Sequence, residues 1–473
     1  MGILRRLALP VLFACTAASA AAESPPRHPF PQNIQYSAGS LKPDHRSIEM
    51  LNDDIRASYR RWRVRYLHQV GVEADGHPRY RVAISASHQA RTVSEGQGYG
   101  MVIVALMAGE DEEARTLFDG LWEFFNDHRS STDDRLMDWS VEADEIADPE
   151  GNDSAFDGDC DIAFGLLIAA RQWGCSGRID YCSEARNVVD GIFESEIGPT
   201  SRLPMLGDWT DPGGEQFNEY TPRISDIMPG HFRAFGRATG DGRWTDVVAA
   251  SLAVINALQT AYAPSTGLLP DFAIGSGGPD SLFQPAPPGF LEGPHDGHYY
   301  YNAGRAPWRL ATDALINGTG SSGVAVQKLS QWIRSATSEN PTGVRAGYTL
   351  DGAPIGNYFT TFFVAPFGVA AMLDQDGQQW LNDIYDSVRY RNEGYYEDSV
   401  ALLSLLVMTG NFWDPTLMQP VLRPPRRPSG RVSPFPAELI HAYKMSAQRR
   451  PAFSPVWPLS FLVLSGRSPP GGS

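Results

Sequence analysis

Ser94-Glu95-Gly96-Gln97-Gly98-Tyr99-Gly100-Met101, running on into Val102-Ile103-Val104-Ala105-Leu106-Met107, reads as a helix that is apolar almost all round. Such a helix has no solvent face and must be buried on every side. The segment after it, 112–125, is different. Leu117, Leu121 and Phe124 share one face there, while Glu112, Glu113 and Arg115 share the other, the stripe of a helix with one wet side. The pair repeats: 161–170, 359–373 and 400–408 are again apolar throughout, with striped segments such as 380–388 between them. Periodicity and breakers place twelve helices, starting near residues 48, 96, 111, 159, 182, 229, 243, 303, 323, 358, 376 and 395. An inner helix followed by an outer one, six times over, predicts an all-α (α/α)6 barrel, a toroid of six helical hairpins.

Inner helices of such a toroid run parallel, so the loops that enter them share one rim. Glu95, Asp157, Asp226, the stretch from Glu292 to Arg305, Tyr358 and Tyr395-Tyr396 all stand at the entry to inner helices. Carboxylates flanked by glycine or aromatics therefore gather on one face, and a binding cleft is expected there. The glycines around Glu95 are read as letting the backbone crowd a ligand.

The chain has 473 residues, enough to bury a substantial core in one large domain or two. Its first 22 residues read as a secretory signal peptide. Arg5 and Arg6 supply the charge, 7–17 the apolar region, and Ala18-Ser19-Ala20 the small-residue cleavage site. No other segment approaches the roughly 20 apolar residues of a membrane span, so the mature protein is expected to be soluble, monomeric, and secreted or periplasmic. Residues 23–417 are assigned to the barrel. The stretch 418–473 holds eleven of the 36 prolines, with seven Arg and one Lys against one Glu, a composition that predicts a disordered or loosely docked tail. With that tail at +7 and the leader at +2, the formal charge of −16 leaves about −25 on the body. This argues against nucleic acid, which needs basic stripes; it suits a neutral polymer and mildly favours a cationic one. Of four cysteines, Cys15 falls in the leader, and Cys175 and Cys182 bracket a short turn suited to a local disulfide. Cys160 reads as a buried free thiol.

Asp157-Gly158-Asp159-Cys160-Asp161 sets acids at alternate positions where a helix begins, and a helix N-terminus favours acids. The spacing echoes a calcium loop, but the distal Glu and the rest of that pattern are missing, so no metal is predicted. Asp157, nearest the rim, is the member expected to reach a ligand. Asp226 is a candidate helix cap. The richest connection is Phe290-Leu291-Glu292-Gly293-Pro294-His295-Asp296-Gly297-His298, followed by Tyr299-Tyr300-Tyr301-Asn302-Ala303-Gly304-Arg305. A long loop with acids and consecutive tyrosines is unusual as a passive linker; its two histidines read as surface residues. Carboxylates with exposed aromatics suit carbohydrate, whose C–H faces stack on rings. Cleaving a glycosidic bond needs two carboxyl groups in different protonation states. Glu95 faces a conflict here. A helix start lowers its pKa, and only burial with a neighbouring anion such as Asp157 raises it to an acid's range.

These strings together resemble glycoside hydrolase family 8. The matching residues are Thr92-Val93-Ser94-Glu95-Gly96-Gln97-Gly98-Tyr99-Gly100-Met101; Leu136-Met137-Asp138-Trp139; Asp157-Gly158-Asp159-Cys160-Asp161-Ile162-Ala163; Tyr301-Asn302-Ala303-Gly304-Arg305 with Trp308-Arg309; Gly347-Tyr348-Thr349; and Tyr395-Tyr396 through Gly410-Asn411-Phe412. They stand in family order and span roughly 35–415. The resemblance implies an (α/α)6 barrel and inverting hydrolysis of β-1,4-linked glucan-type polymers, with no metal or other cofactor. It makes Glu95 the general acid and Asp157 a grip on the sugar at the point of cleavage. Trp139, Tyr301 and Arg305 line the cleft, and Tyr99, Asp226 and Asn302 belong to the same substrate-binding set.

One position departs from the family pattern. Many members carry the catalytic base Asp directly after the tyrosine matching Tyr301, and here that residue is Asn302. The chain is similar to the subgroup of chitosanases, lichenases and some cellulases in which a Glu of the preceding loop serves instead. Glu292 is the matching residue, with Asp296 as runner-up and Asp157 third. Phe156 stands where Thr is frequent. Cellulose-like glucan and chitosan rank nearly level as substrates, ahead of mixed-linkage glucan. The alternative of another class is a non-catalytic polysaccharide-binding protein on the same fold.

Overall fold

Twelve α-helices form among the described residues of the computed structural model, which are 25–145, 151–278, 281–318 and 320–417. The leader 1–22 and the tail 418–473 lie outside them. In chain order the helices are α1 (Ile48–Tyr66), α2 (Ser94–Leu106), α3 (Ala114–Asp127), α4 (Phe156–Trp173), α5 (Tyr181–Gly191), α6 (Pro229–Thr239), α7 (Trp244–Ala261), α8 (Ala306–Asn317), α9 (Gly320–Ala336), α10 (Thr361–Ala371), α11 (Gln378–Val388) and α12 (Tyr395–Met408). Each starts within three residues of its expected position. Three two-stranded antiparallel ribbons, which periodicity does not show, join them. They pair β1 (Leu67–Val72) with β2 (Pro78–Val82), β3 (Thr92–Val93) with β4 (Ser140–Val141), and β5 (Ala273–Gly275) with β6 (Phe283–Pro285).

The even-numbered helices form a closed inner ring, α2 against α4, α4 against α6, and so on through α12 back to α2. Helices α3, α5, α7, α9 and α11 each back onto the inner helix before them, and α1 completes the outer layer against α12. This is the (α/α)6 barrel, and the apolar pattern explains the layering. All eleven residues of α10 are buried. In the outer helix α3, Leu117, Leu121 and Phe124 are buried as the stripe requires. Among the described residues no helix is long and apolar enough to cross a membrane.

Close approach in the inner ring depends on glycine. A Cβ on Gly98 would lie 2.8 Å from the Gly158 carbonyl oxygen, one on Gly165 would lie 2.9 Å from the Met101 Cβ, and one on Gly158 would collide with Ser94. Of the glycines after Glu95, Gly98 thus admits the neighbouring helix α4 and Gly96 admits the Tyr395 ring of α12. Asp161 of α4 takes a salt bridge from Arg309 of α8 and a hydrogen bond at 2.9 Å with His231 of α6. Asp161 is thus a buried tie across three inner helices rather than a helix cap. Cys175 and Cys182 form a disulfide between α4 and α5, and Cys160 is a buried free thiol.

Candidate active site

Every residue of α2 is buried except Glu95, whose side chain stays 17% exposed at the helix start. Pairing of Val93 with Ser140 brings Trp139 beside it, and the Ser94 amide donates to the Trp139 carbonyl at 3.0 Å. Two donors hold the Glu95 carboxylate. Arg305 donates to Oε2 at 2.7 Å and the Tyr395 hydroxyl to Oε1 at 3.0 Å. The Arg305 guanidinium is buried and serves as a hub: it also donates to Asp157 Oδ2 at 2.6 Å, Ser225 Oγ at 2.8 Å and Asn302 Oδ1 at 3.1 Å.

Burial pushes the Glu95 carboxyl up; Arg305 opposes this, Asp157 adds to it, and the result is a carboxyl at about 7. Asp157 goes the other way. Burial would raise it, but Arg305 and then Arg223 hold its carboxyl below the ordinary range. Of two neighbouring carboxyls on one arginine, Asp157 therefore ionises first and Glu95 keeps its proton up to about pH 7. Different pKa values on adjacent acids are what acid–base chemistry requires.

Glu292 comes from the long connection between α7 and α8. Its loop is built rigidly: the Asp296 carboxylate accepts the backbone N–H groups of Leu291 at 2.7 Å, Glu292 at 3.1 Å and Gly293 at 2.9 Å. Below it, Phe290, Phe272, Leu206 and Ala286 make a small apolar cluster of their own. The Glu292 side chain, 20% exposed, accepts from Arg223 at 3.0 Å on Oε1 and from the Asn302 amide at 2.8 Å on Oε2. Asn302 thus donates to Glu292 through Nδ2 and accepts from Arg305 through Oδ1. An aspartate there would set a second anion against Glu292; only the amide can bridge both.

One cleft of about 410 Å³ is lined by Glu95, Asp157, Trp139, Glu292, Tyr301, Asn302 and Arg305, seven of the expected site residues. The other two lie behind its wall. Tyr99 sits one turn deeper than Glu95 and is fully buried, its hydroxyl 3.4 Å from Arg305 and its ring edge-on to Trp308. Asp226 is also fully buried; burial pushes its carboxyl up to about 7, and it pairs with Arg223 at 3.3 Å instead of capping a helix. Both steady the arginines and neither faces the groove. Asp296 likewise stays in its loop. Phe156 is buried against Phe232, away from the cleft.

Arg223, Arg91 and Tyr395 line the same cleft and were not singled out as site residues from sequence. The alternating acids do not converge as a calcium loop does. Asp157 and Asp161 face arginines, and Asp159 accepts the Met137 amide at 2.9 Å.

A helical toroid with a proton-bearing carboxyl and a second, differently held carboxyl in one groove defines a glycoside hydrolase of the (α/α)6 class. The sequence profile "Glycosyl hydrolases family 8" matches residues 49–410, and the chain belongs to that family. A beta-glucanase of Niallia circulans is 40% identical over 389 residues, covering 82% of this chain and 92% of that one. An endoglucanase of Bacillus sp. (strain KSM-330) is 39% identical over 400 residues, covering 82% of each. Among solved structures, the apo beta-1,3-1,4-glucanase of Paenibacillus sp. X4 superposes with a TM-score of 0.78 at 40% identity, over 82% of this chain and 100% of that one.

Proposed function

We propose that the protein is an endo-acting hydrolase of β-1,4-linked glucan that inverts the anomeric centre, with Glu95 as general acid and Glu292 as general base. The observation that carries this reading is the bonded chain Glu95–Arg305–Asn302–Glu292 along the cleft wall. It puts a guanidinium and an amide between the two carboxyls, which do not bond to each other directly. Inverting enzymes need a gap for a water, ~6.5–9.5 Å between carboxyls, whereas retaining enzymes bring them closer. Glu95 keeps its proton through the mildly acidic range and donates it to the leaving glycosidic oxygen. Glu292 takes a proton from the water that attacks the anomeric carbon, and Asn302 and Arg223 fix its orientation. Asp157, held ionised, accepts from a sugar hydroxyl, and Trp139 stacks on a sugar face.

The glucan relatives support a glucan substrate over chitosan. The leader-like N-terminus and the Cys175–Cys182 disulfide support action in an oxidising space outside the cytoplasm. The decisive test combines Glu95→Gln and Glu292→Gln, reducing-sugar release from carboxymethylcellulose, barley β-glucan and chitosan, and NMR of the first product. Each variant is expected to lose at least ~10²-fold in turnover while still binding oligosaccharide, and the first product is expected to be the α-anomer. Initial β-product refutes inversion. Near-wild-type turnover by Glu292→Gln removes Glu292 as base, and a wild-type protein that binds these polymers without cleaving them is the non-catalytic alternative.

A further inference from the structure

The Trp139 platform carries a cation. Arg91 directly precedes β3, and the antiparallel pairing of that strand with β4 sets Trp139 across from Ser94, so both side chains stand at this ribbon. The Arg91 guanidinium lies 5.6 Å from the centroid of the indole ring, and both residues line the cleft. Such a cation is held by the ring face and needs no carboxylate partner.

The cleft's other charges are matched. Arg305 engages Glu95 and Asp157, and Arg223 engages Glu292. Among the described residues Arg91 makes no ion pair with a carboxylate, so of the described arginines lining this groove it is the one whose charge is unmatched. The described lining therefore offers an incoming amine no carboxylate free of arginine. A site built for a polymer with an ammonium on every sugar needs a free carboxylate facing the chain, and each one here is held by an arginine.

We propose that Arg91, seated on Trp139, is a specificity residue: it makes the cleft select neutral β-glucan and turn away cationic glucosamine polymers. The assignment rests on the glycan-binding reading of this groove above. A guanidinium about 5–6 Å from a sugar ammonium in a wet cleft lowers binding roughly tenfold. Salt screens a repulsion of that kind.

The test is calorimetric binding of cellohexaose and of the glucosamine hexamer at pH 5.5, where the sugar amines are charged. It uses Glu95→Gln to prevent turnover, alone and combined with Arg91→Lys, Arg91→Gln or Arg91→Glu. The expected result is a preference of Glu95→Gln for cellohexaose of at least ~10-fold. Arg91→Lys retains that preference, Arg91→Gln narrows it, and Arg91→Glu narrows it further or reverses it. Added salt reduces the preference in the Arg91 form. Equal binding of both hexamers by Glu95→Gln overturns the proposal, and so does an unchanged ratio in both Arg91→Gln and Arg91→Glu. If cellohexaose binds and the ratio ignores residue 91, only the charge assignment falls; if neither hexamer binds, the glycan reading falls with it.

Discussion

At Glu95 the start of α2 and the Arg305 guanidinium favour the anion, while burial and the Asp157 charge favour the acid. Burial prevails, and the carboxyl reaches about 7. The protonated form is the active one, so kcat/KM should fall as pH rises through that value, since the free enzyme's acid sets this limb. Tyr395 tests the balance. Its hydroxyl donates to Oε1 at 3.0 Å and so stabilises the anion. Tyr395→Phe removes that donor, and the alkaline limb of kcat/KM should move to higher pH by roughly half a unit or more. A limb that stays in place, or moves down, breaks the link between this carboxyl and the profile. Much of this was legible beforehand because Glu95, Asp157 and the Asn302–Arg305 run lie in short local strings. Arg223 escaped notice because it meets Glu292 from 69 residues away, with no spacing to mark the pair. Arg91 was hidden for a similar reason: it meets Trp139 only in the folded chain, with no local spacing to mark the pair.

Helix α2 carries the acid, and its fit against α4 decides where that acid points. The seam is set by Gly98, Gly158 and Gly165, each of which would place a Cβ within 3 Å of the facing helix. Gly98→Ala gains helix propensity but forces the helices apart, and overpacking of this kind costs about 1–3 kcal/mol. Denaturant unfolding should show that loss, together with lower turnover as Glu95 is displaced. Gly242→Ala has open space around its Cβ and serves as the control, expected to change stability by less than ~0.5 kcal/mol. Equal behaviour of the two variants contradicts a steric role for the seam. The helices themselves were readable because burial on all sides and burial on one side leave different apolar patterns over a dozen residues. Ribbons of two to six residues leave no such pattern. The alternate acids at 157–161 read as capping residues because local spacing cannot report that Arg309, 148 residues on, takes Asp161.

Across the whole molecule, folding raises more carboxyl pKa values than it lowers. Burial pushes Glu95, Asp138, Asp226 and Glu397 up to about 7, Asp153 to about 6 and Asp271 to about 8, and it also raises Asp159 and Glu196. Asp133 and Asp161 are the strongest opposite cases, both held near about 2 by arginine and hydrogen-bonding partners that outweigh burial. Their contribution is already complete above pH 5. A carboxyl raised on folding contributes stability that is present below its unfolded pKa and is lost as pH climbs through its folded one. Four histidines and Lys42, whose ammonium burial lowers to about 8, pull the other way. Burial lowers His28, His68, His231 and His295, so their neutral forms favour the fold as pH rises toward 6.5. Their effect is finished by about pH 7.5, while the acids near 7 and Asp271 are still losing protons. The folded chain therefore binds more protons than the unfolded one between about pH 6 and 8, before the loss of the Lys42 proton offsets the acids, and stability should fall across that window. Scanning calorimetry at pH 6.0 and pH 8.0, at constant ionic strength, should find Tm lower at the higher pH by on the order of 5 °C. A flat or rising Tm would mean that the barrel's buried acids, taken together, give up their protons in the folded state at lower pH than this, and the same burial is what keeps the Glu95 proton in place for a leaving sugar.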